Sequence, residues 1–180
     1  DYTGHNILKA DLRTNAVDVF VHEPAMNQPN DIAITSGDIL FASDPNWSRG
    51  NGNIWRIGRD GTVDKLDELD STTNGIEVSP DESVLYVNTS GKREIWAYDL
   101  DSGGAVSNKR LLLQFSDRGM DGMRCDTEGN LYVTRNGQGA VSVVSPDGEL
   151  IRQIQTIGNN PSNIAFGGVD GRRCYLTMAD

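Results

Sequence analysis

The sequence predicts an all-β fold, a β-propeller of which these 180 residues carry about four blades' worth. Three observations predict it. Short apolar runs rich in β-formers alternate with turns of Gly, Asp and Asn from end to end. No stretch carries the apolar periodicity of an amphipathic helix. The runs also repeat with a period of about 45 residues, two hairpins to the period, as four-stranded blades require.

Hairpins of one type pair IAIT from Ile32 with LFAS from Leu40, and IEVS from Ile76 with LYVN from Leu85. Further on they pair MRCD from Met123 with LYVT from Leu131, and IAFG from Ile164 with CYLT from Cys174. The second strands start 45, 46 and 43 residues apart, after turns reading SGDI, PDESV, TEGN and VDGRR. A second type alternates with the first. It reads ILKADLRTNAVDVFV from Ile7, IWRIGRDGTVDKL from Ile54, IWAYDLDSGGAVSNKRLLL from Ile95 and VSVVSPDGELIRQI from Val141. In chain order this makes half a blade, three whole blades and half a blade. One small twisted sheet cannot bury both its faces, so blades stack around an axis and cover one another. Both ends fall mid-blade, which predicts a segment of a larger ring, one propeller domain over 1–180 with N-terminal and C-terminal blade portions outside it.

Composition narrows the function. Lys plus Arg is 16 against 26 Asp plus Glu, a net charge of −10. That argues against a nucleic-acid backbone or an anionic membrane as partner, since both select clustered positive charge. No apolar run approaches the roughly 18 to 20 residues of a spanning helix. The opening Asp1-Tyr2-Thr3-Gly4 has neither the basic stretch nor the apolar core of a signal peptide, so compartment is unread, as is oligomeric state. Cys125 and Cys174 lie in strand-like runs without a partner at ligand spacing and read as buried free thiols. His5 and His22 fit no metal or triad spacing and read as surface residues. RGNGN and RNGQG lack the Lys-Ser/Thr of a phosphate loop and read as blade turns. Trp55 and Trp96 share a register in two outer hairpins and read as packing between blades, whereas Trp47 follows an inner hairpin and reads as a rim residue that contacts substrate. The acidic group Asp64, Asp67, Glu68 and Asp70 reads as a solvated face.

The informative positions stand two residues before the first strand of each blade: Asn30, Asn74, Asp121 and Ser162. One such residue alone reads as a turn former. A matched set, carried to the channel axis by blade symmetry, brings an amide oxygen and a carboxylate together from several blades. Hard cations such as calcium or magnesium select that donor set.

QPNDIAIT with GDILFASDPNW, NGIEVSPDESVLYVNTS, GMDGMRCDTEGNLYVT and PSNIAFGGVDGRRCYLT, in that order at blade spacing, resemble the gluconolactonase/regucalcin family. The resemblance runs from Gln28 to Thr177. It implies a six-bladed propeller with one catalytic divalent metal in the central channel, Ca2+ foremost, with Zn2+ or Mg2+ as alternatives. It implies Asn74 and Asp121 as metal ligands. Asn30 matches a position that contacts substrate in some members and metal in others. A glutamate of an earlier blade completes the family's metal shell, and no such motif occurs in this sequence. Gln28 stands where regucalcin-like members have a substrate-contacting arginine. Asp44, in SDPNW, matches a polar residue that faces the channel and substrate.

Members mostly hydrolyse lactones, so the resemblance implies a small-molecule lactone as substrate and a hydroxy acid as product. A cation held by neutral amides and few carboxylates keeps the charge needed to polarise the lactone carbonyl. Asp121, the one carboxylate among the expected ligands, is the candidate catalytic base. Two other readings stay open at this point: a non-catalytic metal- or ligand-binding propeller, and an organophosphate or ester hydrolase on the same metal.

Overall fold

Sixteen strands and no helix make up the protein in a computed structural model that describes residues 1–179. A two-stranded sheet, β1 (Asn6–Ala10) and β2 (Val17–His22), comes first. Three four-stranded meanders follow. They are β3 (Ile32–Ile34), β4 (Leu40–Asn46), β5 (Asn51–Ile57) and β6 (Val63–Leu69); β7 (Thr73–Val78), β8 (Val84–Thr89), β9 (Glu94–Leu100) and β10 (Val106–Gln114); and β11 (Met123–Cys125), β12 (Leu131–Arg135), β13 (Ala140–Val144) and β14 (Leu150–Gln155). A second two-stranded sheet, β15 (Pro161–Gly167) and β16 (Arg173–Met178), closes the series. All pairings are antiparallel. The expected half blade, three blades and half blade are all present.

The inner hairpins share one turn. Asp38, Glu82 and Gly129 occupy the same place in their hairpins at φ of 61°, 58° and 86°, and each donates its N–H to the carbonyl three residues back. A left-handed residue there matches the right-handed twist of the strands it joins, and Asp and Gly tolerate that conformation well.

Apolar side chains alternate along the strands so that both faces of each full blade meet a neighbour. Phe41 and Ile54 of the first full blade pack against Ile76, Leu85 and Val87 of the second. Tyr86, Ile95 and Ala97 of the second pack against Met123, Leu131 and Val133 of the third. Most are wholly buried, each stabilising by about 1.5–3 kcal/mol relative to exposure. Trp55 is buried against Ile7, Val21 and Met26, and half-buried Trp96 joins the layer between the first two full blades, so both tryptophans pack between blades as expected.

Two expectations need correction. Cys174 is exposed, because the face of β16 that bears it meets no further sheet, and Cys125 is half-buried; both are free thiols. The acidic group is not uniformly solvated. Asp67 is drawn in between blades, where Tyr98 Oη donates to it at 2.8 Å and Lys109 Nζ at 2.7 Å.

Candidate functional site

The first strands β3, β7, β11 and β15 are successive neighbours, and their N-terminal ends lie together. Asn30 and Asp121 stand two residues ahead of β3 and β11. Asn74 sits inside β7, where the register slips between Thr73 and Ile76 and frees it from regular pairing. These three side chains, drawn from three blades, meet. Asn30 Nδ2 donates to Asn74 Oδ1 at 3.1 Å. Asn74 Nδ2 donates to Ser90 Oγ at 3.0 Å and to the Met120 carbonyl at 3.3 Å. The Asn74 amide also lies near enough to the Asp121 carboxylate to favour its ionised form. Ser162 does not join them, because its hydroxyl pairs at 2.9 Å with Thr177 in its own hairpin.

Burial raises the Asp121 pKa to about 6, and the nearby Asp31 carboxylate adds to the rise. The Asn74 amide and the Gly122 N–H oppose it. Such a carboxyl is ionised at neutral pH yet basic enough to accept a proton.

Asp31 is a site residue that sequence reasoning missed. It occupies the register of Gly75, Gly122 and Asn163 in the following blades. Its carboxylate accepts the N–H of Ile32 at 3.0 Å and of Ile76 at 3.2 Å. It therefore ties the first and second of the channel strands together. The register pattern Asp-Gly-Gly-Asn, one residue after the expected ligands, was the signal.

Further along the strands Arg124 Nη1 donates to Glu77 Oε2. Burial raises the Glu77 pKa to about 7, with Arg124 opposing and Asp31 adding to the rise. A carboxyl whose folded pKa exceeds its unfolded value stabilises the fold fully below the unfolded pKa, and that contribution is lost as pH rises through the folded pKa. Glu77→Gln removes this pH dependence. The melting temperature of the variant should therefore gain on that of the native protein as pH rises from 5 to 8, read by thermal melts across that range.

The remaining expected site residues divide. Asp44 is not at the channel surface, and its substrate-contacting role is corrected. It is wholly buried, and its carboxylate accepts the backbone N–H groups of Asn27 (2.7 Å) and Gln28 (2.6 Å) and the side chains of Asn53 (3.1 Å) and Trp55 (2.8 Å). No lone pair is left for a ligand. Trp47 is exposed and, with His5, Met26 and Gln28, lines a cavity of about 430 Å³ beside the loop that leads to Asn30. Its backbone N–H approaches Gln28 Oε1 at 3.5 Å. His22 is exposed as expected, whereas His5 is half-buried.

Among the described residues no three His, Cys, Asp or Glu side chains gather as a metal cluster. An ion at this site depends on amide oxygen as well as the Asp121 carboxylate. That all-oxygen donor set fits a hard divalent cation and would serve a soft, thiolate-seeking one poorly.

The region described as SMP-30/gluconolactonase/LRE-like matches residues 3–180. A gluconolactonase of Zymomonas mobilis is 31% identical over 186 residues, covering 89% of this chain and 52% of that protein. Among solved structures, a calcium-binding protein, regucalcin, from Agrobacterium tumefaciens superposes with a TM-score of 0.87 at 25% identity, covering 97% of this chain and 62% of that one. A gluconolactonase from Xanthomonas campestris gives 0.84 at 26% identity with the same coverage. The chain thus spans about half the length of the curated relatives it matches.

Proposed function

This chain belongs to the SMP-30/gluconolactonase/LRE-like family, and from that premise we propose that its protein hydrolyses a sugar or related lactone to the hydroxy acid at the Asn30–Asn74–Asp121 cluster, with one divalent cation, Ca2+ ahead of Zn2+ and Mg2+. The observation that carries the reading is the meeting of these three oxygen-bearing side chains from three blades, remote in sequence, with Asn30 hydrogen-bonded to Asn74 and Asn74 to the Met120 carbonyl beside Asp121. The lactonase and calcium-binding names of similar proteins support it.

Asn74 and Asp121 would hold the ion, and Asn30 would orient the substrate or complete the ligand set. A bound divalent cation would supply positive charge that polarises the lactone carbonyl and favours the charge developing on its oxygen. The chain's own residues do the rest. Asp121 takes a proton from the attacking water at its carboxylate. The acyl C–O bond of the ring then breaks, and that proton passes to the departing ring oxygen, leaving a hydroxy acid. Trp47, at the rim, offers an apolar face to the ring.

The test is ring opening of glucono-δ-lactone followed by proton release, with and without EDTA. Turnover that disappears on chelation and returns with Ca2+ or Zn2+ supports the reading. Ca2+ binding with no turnover on any lactone would replace it with the binding-only reading, and turnover confined to phosphate esters with the organophosphate one.

A further inference from the structure

A repeated position in the second strands of the blades holds, in two of the three full blades, the loop that leads into the site. Counted from the starts of LFAS, LYVN and LYVT, the fifth residue is Asp44 in β4, Thr89 in β8 and Arg135 in β12, all wholly buried. Asp44 accepts the N–H groups of Asn27 and Gln28, in the loop ahead of Asn30. Arg135 does the converse ahead of Asp121. Its Nη2 donates to the Asp117 carbonyl at 2.6 Å, the Asp117 carboxylate at 3.0 Å and the Arg118 carbonyl at 3.4 Å. Its Nε donates to the Gly119 carbonyl at 3.4 Å and Nη1 to Ser142 Oγ at 3.4 Å. Its guanidinium carbon lies 3.6 Å from the centroid of the Phe115 ring.

The next carbonyls are also taken. That of Met120 accepts from Ser90 Oγ at 2.6 Å and from Asn74, and that of Asp121 accepts from Asn88 Nδ2 at 2.7 Å. The carbonyls of residues 117 to 121 thus all accept from side chains, and Arg135 serves the first three. Arg118 sits at φ 45°, a left-handed conformation that costs a non-glycine residue about 1–2 kcal/mol and persists only where surroundings hold it.

We propose that Arg135 is a positioning residue for Asp121: its guanidinium fixes the Phe115–Met120 loop, and thereby the place and direction of the Asp121 carboxylate. A planar, five-donor group buried between a ring and three carbonyls does this, and a lysine can reproduce only part of it. The inference rests on reading Asn30, Asn74 and Asp121 as the cation site.

The test uses Arg135→Met and Arg135→Lys in the intact protein, with Ca2+ affinity by calorimetry and amide hydrogen exchange. Arg135→Met should weaken Ca2+ binding by about 10- to 100-fold, the range seen when groups supporting a metal ligand are lost. It should speed exchange at Asp121 and Gly122 while leaving Ile54 and Trp55 in β5 unchanged. Arg135→Lys should recover part of both. Equal Ca2+ affinity in native protein and variants overturns the proposal, as does faster exchange spread evenly over all blades. If Arg135→Met does not fold, Arg135→Lys and Asp117→Asn are judged by the same two readouts. A native protein that binds no Ca2+ overturns the reading of the site itself, and the positioning role with it. That outcome differs from native binding that the variants leave untouched.

Discussion

Asp121→Asn is expected to abolish lactone opening, lowering kcat/KM by about 10³-fold, within the range for loss of a positioned base. The replacement keeps the shape and removes two things: the charge that would hold a cation and the site that would take a proton from water. Stability should move the other way. Burial and Asp31 raise the Asp121 pKa from the ordinary 3.8 to about 6. With its pKa raised on folding, this group's stabilisation is fully present below the unfolded value and lost as pH rises through about 6. At pH 8 the ionised carboxylate is therefore a burden on the cation-free fold, and the neutral amide should stabilise it by about 1 kcal/mol, since solvent screens this part-exposed group. Steady-state kinetics with Ca2+ and a thermal melt in EDTA at pH 8 check the two halves. Full turnover in the variant would remove Asp121 from the chemistry. Lost turnover accompanied by a lower melting temperature would assign the loss to misfolding.

How far the sequence revealed this molecule depends on which atoms make each contact. The blade order was legible because side-chain periodicity and turn chemistry are properties of residue type, and the hairpins at Ile32, Ile76, Met123 and Ile164 all form. Strand starts were less so. The slip in β7 brings Thr73 and Asn74 into the strand, ahead of Ile76, and the period cannot show a local bulge. Asn30, Asn74 and Asp121 could be seen converging because symmetry alone carries equivalent positions to the axis. Asp44 and Arg135 were opaque for one shared reason. Many of their partners are backbone groups, the N–H groups of Asn27 and Gln28 and the carbonyls of Asp117 to Gly119, and backbone groups leave no mark in residue identity. An aspartate beside the channel thus read as a substrate contact, and an arginine in RNGQG as part of a turn.

Gly75→Ala is the other substitution with a large expected effect, because it acts on fold and site through one added methyl. Gly75 follows Asn74 in β7, against the Asp121 segment of the next blade. A Cβ there would lie 2.5 Å from the Asp121 carbonyl oxygen and 2.6 Å from Asn88 Nδ2. Those two atoms are bonded to each other at 2.7 Å, so neither can move without breaking the contact that holds the Asp121 carbonyl. A flexible side-chain end could swing away, but a backbone carbonyl moves only with its strand. The variant should lose about 2–3 kcal/mol of stability, as overpacking of a well-fitted core does, and so melt roughly 4–12 °C lower. Because the displaced carbonyl belongs to Asp121, Ca2+ affinity and turnover should fall with it, by about 10²-fold for a misplacement near 1 Å. Gly75→Ser should behave alike and Gly37→Ala, whose Cβ meets nothing nearer than 3.8 Å, should be silent in both assays. Native-like melting and affinity in Gly75→Ala would show that β7 and the Asp121 segment do not approach as closely as this, and the carboxylate's support would then have to be sought on the Arg135 side alone.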